Sequence, residues 1–285
     1  MRRVIIFFHI EKCGGTSLVH FFRNNLPFQS CEAISRTNAL TISEWKKALL
    51  VYPKLKVISG HNLQVDIIDW FRKVGIEVES FVIYRDPIER TISDYLHDYR
   101  KGTFNGTLEE YAQILWKQNY MSKFLGSGHE MRALGNLEKF DHLVPVGESA
   151  QFAASLFSAH SIPVHHPYSI TNKAGGKMPD DVNVADGIRV GRYKIAEGVW
   201  HTLSEKNEMD ITLFSHFEKK RVSRQYSVGE PQVRKADDRT AVGPKLASAQ
   251  RNLLYKPLIG VWSKYYALPR NRFDPRAVMA KGAFC

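Results

Sequence analysis

Residues Val4 to Leu18 read VIIFFHIEKCGGTSL: a β-branched and aromatic run, then Lys-Cys-Gly-Gly-Thr-Ser, then a helical pattern. Val4 to Phe8 is apolar at every position, which suits a strand of a parallel sheet buried on both faces. Gly14 and Gly15 permit a tight turn and a close approach of the backbone to a ligand, and Thr16 and Ser17 are suited to cap the following helix. An anion at that helix start would meet free N–H donors, the positive end of the helix dipole and the ammonium of Lys12. The chemistry asks for a phosphate or a sulfate. A nucleoside-triphosphatase loop reads G-x-x-x-x-G-K-[ST], with its Lys after the last Gly. Here Lys12 precedes both glycines, so an ordinary ATPase or GTPase loop fits poorly. A ligand-free Gly-rich turn is the bland alternative.

A second block, FVIYRDPIERTISDYLHDYR from Phe81 to Arg100, ends a strand-like run at Tyr84 and opens a helix at Arg-Asp-Pro. Pro87 suits a first helical turn. Arg85 offers a planar fork of donors and Ser93 a neutral hydroxyl, a pair that suits phosphate if the helix brings them together. On its own, Arg85 is an ordinary helix-end ion-pair residue. Between the blocks, Val57-Ile-Ser-Gly-His61 is a short apolar run ending in Gly-His. Ligands of a parallel α/β sheet sit outside the carboxyl ends of its strands, which places His61 near Lys12. Imidazole is well suited to remove a hydroxyl proton near neutral pH, although a lone His at a strand end is more often a structural hydrogen-bonder.

The first block resembles the 5′-phosphosulfate loop of sulfotransferases that use 3′-phosphoadenylyl sulfate (PAPS). It is most similar to the carbohydrate branch, which includes heparan sulfate 2-O-sulfotransferases and bacterial relatives and whose loop commonly reads H-I-P-K-[TC]-G-G-T-S-L. The resemblance implies an α/β fold with a P-loop-type central parallel sheet flanked by helices. It implies donor contacts from Lys12, Cys13, Gly14, Gly15, Thr16 and Ser17, a 3′-phosphate site at Arg85 and Ser93, and His61 as catalytic base with Lys12 beside it. It also implies PAPS as donor co-substrate without a metal, and a saccharide or glycolipid acceptor. Asn119 to Leu125 is similar to the family's N-x-x-x-[KR]-[FY]-L segment. Lys173 and Lys177, near Asn172 in the Gly- and Pro-rich stretch Tyr168 to Asp181, are further binding candidates, with a solvated loop as the alternative. Two positions depart from the pattern. Glu11 stands where Pro is common and would repel an anion unless it points away or pairs with Lys12 or an Arg. Cys13 stands where Thr is frequent.

Elsewhere, helices are expected after Ser43, from Thr107 to Lys117, from Glu148 to His160 and from Ser204 to Phe217, with strands over Lys54–Ser59 and Phe140–Gly147. Alternating strands and helices argue for an α/β sheet with helices on both faces. Residues 1–218 are read as one catalytic domain and 219–285 as a basic, aromatic-containing extension. His9, His165 and His166 are read as structural. Cys13, Cys31 and Cys285 show no metal-ligand spacing, so no metal is expected.

Residues 1–218 carry 25 Lys or Arg against 25 Asp or Glu, whereas 219–285 carry fifteen against four. The whole formal excess of +11 therefore sits in the extension. Its aromatic, lysine-containing stretch 246–272 is too short and too interrupted to span a bilayer, and suits peripheral contact with an anionic membrane surface or an acidic polysaccharide. Packing on the catalytic domain is the alternative. No nucleic-acid partner is expected. MRRVIIFFHI lacks a small-residue cleavage site, and three cysteines without a framework fit a reducing compartment, so a cytoplasmic enzyme is expected. The competing readings are a P-loop nucleotide or sugar kinase and a non-catalytic binder of polyanions or membrane surfaces.

Overall fold

The computed structural model describes residues 3–26, 29–33, 45, 49, 54–61, 63–170 and 178–223. Five parallel strands, β1 (Arg3–Phe8), β2 (Ser30–Ala33), β3 (Val57–Gly60), β4 (Glu77–Tyr84) and β5 (His142–Pro145), form one sheet in the order β2-β3-β1-β4-β5. The chain runs from β1 outward to β2, returns to β3, and then crosses to the other side for β4. The crevice at the carboxyl end of β1 is thus the topological switch point, where such sheets take their ligands. Register aligns the strand ends there: Phe8 pairs with Gly60 on one side and with Val82 on the other.

Successive side chains of β1 point to opposite faces. Phe7 stacks on Phe81 and meets Phe22 of α1 (Gly15–Asn25), while Phe81 and Phe22 extend the contact to Phe152 and Phe157. Those last two lie on the helix Ser149–Ala159, labelled α7 below in chain order. On the other face Phe8 meets Phe140, and Tyr84 stacks on Phe217 of α9 (Glu208–Ser223), the last helix among the described residues. Between these come α2 (Ile67–Lys73), α3 (Pro87–Arg100), α4 (Leu108–Ala112), α5 (Tyr120–Gly126) and α6 (Glu130–Leu137), with α8 (Glu197–Lys206) preceding α9. A second apolar cluster joins Ile88, Ile92 and Tyr95 of α3 to Leu108, Tyr111, Leu203 and the antiparallel pair β6 (Ile188–Val190) and β7 (Tyr193–Ile195).

Local chemistry explains the helix that follows β4. Asp86 caps it by accepting the amide of Glu89 at 2.8 Å, and Pro87 occupies its first turn. At the C-terminal end of α1, buried Asn25 donates to the carbonyls of Phe21 and His166 and accepts the amides of His165 and His166, all at 2.7–2.9 Å. The peptide groups of His165 and His166 thus tie the segment after α7 to α1.

Several sequence expectations are corrected. Helix does not continue from Thr107 to Lys117: Thr107 and Glu110 form a capping box, but α4 ends at Ala112 and only a 3₁₀ turn follows at Leu115–Lys117. There Lys117 is drawn into a buried ion pair with Asp94 at 2.9 Å and a second with Asp98 at 2.8 Å. The expected Ser204–Phe217 helix is broken at Asn207, whose side chain binds the Leu203 carbonyl and accepts the Asn119 amide. Asp210, buried in the next turn, takes the amides of Met121 and Ser122 at the start of α5. α9 then runs past residue 218 to Ser223, with Arg221 paired to Glu148 and Glu218. Except for Trp45 and Leu49, the helix expected after Ser43 lies outside the described residues, as does the stretch 246–272.

Candidate active site

The residues that leave the carboxyl ends of β1, β3 and β4 are His9, His61 and Arg85, which puts all three at the switch-point end of the sheet. Between β1 and α1, Lys12 and Gly14 both take left-handed backbone angles, φ 65° and 78°. Gly14 does so freely, whereas a non-glycine residue such as Lys12 is uncommon there. Arg85 supports that turn by donating from Nη1 to the Lys12 carbonyl at 3.2 Å. Gly15 is required by packing, since a methyl on its Cα would overlap the His9 ring.

Thr16 and Ser17 do not cap α1. Both lie inside the helix, and the cap position falls to Gly14, which has no side chain to accept a hydrogen bond. The first-turn amides of α1 therefore carry no side-chain cap, and an anion is what such a helix start accommodates. Cys13 is 1% exposed and burial pushes its thiol up to about 12. Its side chain belongs to the core, so only its backbone is available to a ligand. Lys12 is pushed down to about 8 by burial, against the pull of Asp94, Glu11 and Asp98. Among the described residues Lys12 makes no ion pair, and the pairing with Glu11 envisaged from sequence does not form.

Arg85 is 11% exposed at its side chain and pairs through Nη2 with Glu89 at 2.5 Å, while its Nε is buried without a hydrogen-bond partner. Glu89, Ser93 and His97 follow one another at turn spacing on one face of α3. Burial, with the charge of Lys12, lowers the pKa of His97. Ser93 thus lies one turn beyond the carboxylate that holds Arg85. Deeper in α3, Arg90 is fully buried over the Tyr120 ring, with Asp94 at 3.6 Å.

His61 accepts a fixed role from the backbone. Its Nδ1 lies 2.8 Å from the carbonyl oxygen of His9, which can only accept, so Nδ1 carries a proton and in the neutral ring Nε2 keeps its lone pair. The structure therefore brings together Lys12, the glycine turn, Arg85 and His61, all from the sequence reading. It adds two groups that the reading did not place in the site: Glu89 on Arg85 and the His9 ring beside His61. Only the four-residue spacing of Arg85 and Glu89 was visible beforehand. Lys173, Lys177 and Asn172 lie outside the described residues.

The uncapped start of α1, Lys12 without an ion pair among the described residues and the orphaned Nε of Arg85 suit an anionic ligand. No cluster of three His, Cys, Asp or Glu side chains suited to a metal occurs among the described residues, and no helix among them is long and apolar enough to cross a membrane.

No family model matches this chain, and no curated protein matches it. Among solved structures it is similar to the crystal structure of a sulfotransferase from Alicyclobacillus acidocaldarius, at 9% sequence identity and a TM-score of 0.38, over 61% of this chain and 87% of that one.

Proposed function

We propose that the protein transfers a sulfuryl group from PAPS to a hydroxyl of a carbohydrate or glycolipid acceptor. The observation that carries this reading is the 2.8 Å hydrogen bond from His61 Nδ1 to the His9 carbonyl. It supports Nε2 as a proton acceptor next to His9, the residue that leads into the glycine turn. When bound, PAPS supplies the sulfuryl group and a bisphosphate that leaves.

Lys12 and the first amides of α1 hold the sulfate end in this proposal and neutralise charge on the oxygens around sulfur. Arg85 and Ser93 are assigned to the 3′-phosphate, with Lys173 a further candidate contact to the nucleotide from its sequence position. His61 Nε2 removes the acceptor hydroxyl proton while the hydroxyl oxygen forms its bond to sulfur and the bridging sulfur–oxygen bond breaks. The remaining work is to hold the reactants in line. The basic stretch 246–272 is assigned to contact with the acceptor or with the membrane that carries it.

Calorimetric titration of adenosine 3′,5′-bisphosphate into the wild type, Lys12→Ala and Arg85→Ala, with ATP as control, tests the donor site. Binding to the wild type that is lost in both variants, with no ATP binding, is expected. ATP binding in preference would favour the kinase reading, and no binding of either nucleotide would favour the non-catalytic binder.

A further inference from the structure

His9 reads from sequence as a structural residue, yet its packing is odd for one. The side chain is 4% exposed, and its Nδ1 has no hydrogen-bond partner. What the ring touches suggests another use. Phe7 stacks on it at 5.3 Å, Gly15 of the anion loop leaves no room for a side chain against it, and His61 lies with its ring centroid 3.9 Å away, tilted by 33°. The backbone of the same residue accepts His61 Nδ1–H through its carbonyl and donates its own N–H to Gly60 at 3.0 Å.

Burial, with the neighbouring His61 and Lys12, holds His9 well below the usual histidine range, so it stays neutral near pH 7. A neutral ring can lie this close to a histidine that must gain a proton, whereas a second cation would oppose it. A half-turn of the His61 ring would remove Nδ1 from the carbonyl. Swinging it aside would require moving the His9 ring, which Phe7 and Gly15 pin from other directions.

We infer that His9 is a positioning residue whose ring clamps His61 in the one orientation and tautomer that leaves Nε2 as proton acceptor, and links it to Gly15 of the anion loop. The inference rests on the reading of His61 as the proton acceptor and extends it to a second residue. It makes the loop and the base one mechanical unit.

The test is the long-range ¹H–¹⁵N spectrum of the histidine rings in the ¹⁵N-labelled full chain, with His61 assigned through His61→Gln. At a pH where the rings are neutral, the wild type should show a single His61 tautomer with the proton on Nδ1. His9→Phe keeps a flat ring and should preserve that pattern, whereas His9→Leu should give two exchanging tautomers. Two tautomers in the wild type would overturn the clamp, and that result needs no variant to fold. A single tautomer in folded His9→Leu would also overturn it, as would loss of the pattern in folded His9→Phe. Adenosine 3′,5′-bisphosphate titrated into the same wild-type sample separates the two ideas: no binding with the tautomer intact removes the donor site and leaves the clamp standing.

Discussion

The Glu89 carboxylate closes the Arg85 guanidinium at 2.5 Å, one turn into α3, while Gly191 of the β6–β7 turn packs directly against that carboxylate, which a side chain there would displace. The arginine assigned to a phosphate therefore already holds a carboxylate. A phosphate dianion arriving at Arg85 would share it with a like charge in a partly buried site, where charges interact more strongly than in water. Glu89→Gln keeps the shape and removes the charge. Affinity for adenosine 3′,5′-bisphosphate is expected to rise roughly three- to tenfold at low salt, about 1 kcal/mol, with a smaller gain at high salt. Unchanged affinity in calorimetry would mean that the phosphate does not reach Arg85.

Lys12 should make the proposed donor site sensitive to pH. Burial depresses this lysine from 10.5 to about 8. Between those values the unfolded chain holds a proton that the folded chain has released. The penalty on folding is therefore full below about pH 8 and is relieved as pH rises toward 10.5. Lys12→Met should melt at a higher temperature than the wild type at pH 7, and the difference should vanish above pH 10.5. Anion binding needs the ammonium, so bisphosphate affinity should fall as pH rises through about 8, with net proton uptake on binding. Titrations in two buffers of different ionisation heat would show that uptake; identical apparent heats would refute it.

The parts of this architecture that are legible in the sequence are those fixed locally. Val4 to Phe8 announces a buried strand by composition, Gly14 and Gly15 announce a turn, and Asp86-Pro87 announces a helix start. β2 is different: Ser30–Ala33 has little strand character of its own, and its place follows from the pairing of Cys31 with Ile58 across the sheet. β6 and β7 are three residues each and are held by a second apolar cluster assembled from distant segments. The early end of α4 depends on Lys117 finding Asp94 and Asp98, and the break at Asn207 on its contact with Asn119. In the site, Lys12, His61 and Arg85 could be nominated from residue type and order. The contact of His9 with His61 could not, because it exists only through the parallel register of Phe8 with Gly60.

Away from the crevice, Glu79 of β4 bridges two histidines, His142 at 2.8 Å on β5 and His160 at 2.5 Å just after α7. The arrangement joins the sheet to the end of α7, and the His142 ring also packs edge-on against Phe152 of that helix. Burial alone would raise the Glu79 carboxyl, but the hydrogen bonds from both histidines outweigh it and hold the group down at about 2, against an ordinary 4.5. With the folded value below the unfolded one, the stabilisation is fully present above about pH 4.5 and is lost as pH falls from 4.5 toward 2. Glu79→Gln keeps the size of the side chain and one acceptor but removes the charge. It should lower stability by about 1–3 kcal/mol at pH 7, in the range for hydrogen bonds to a charged group. Urea denaturation of both proteins between pH 7 and pH 3 should show the gap narrowing as pH falls below 4.5. A gap that stays constant across that range would mean that the charge of Glu79 does not hold α7 to the sheet.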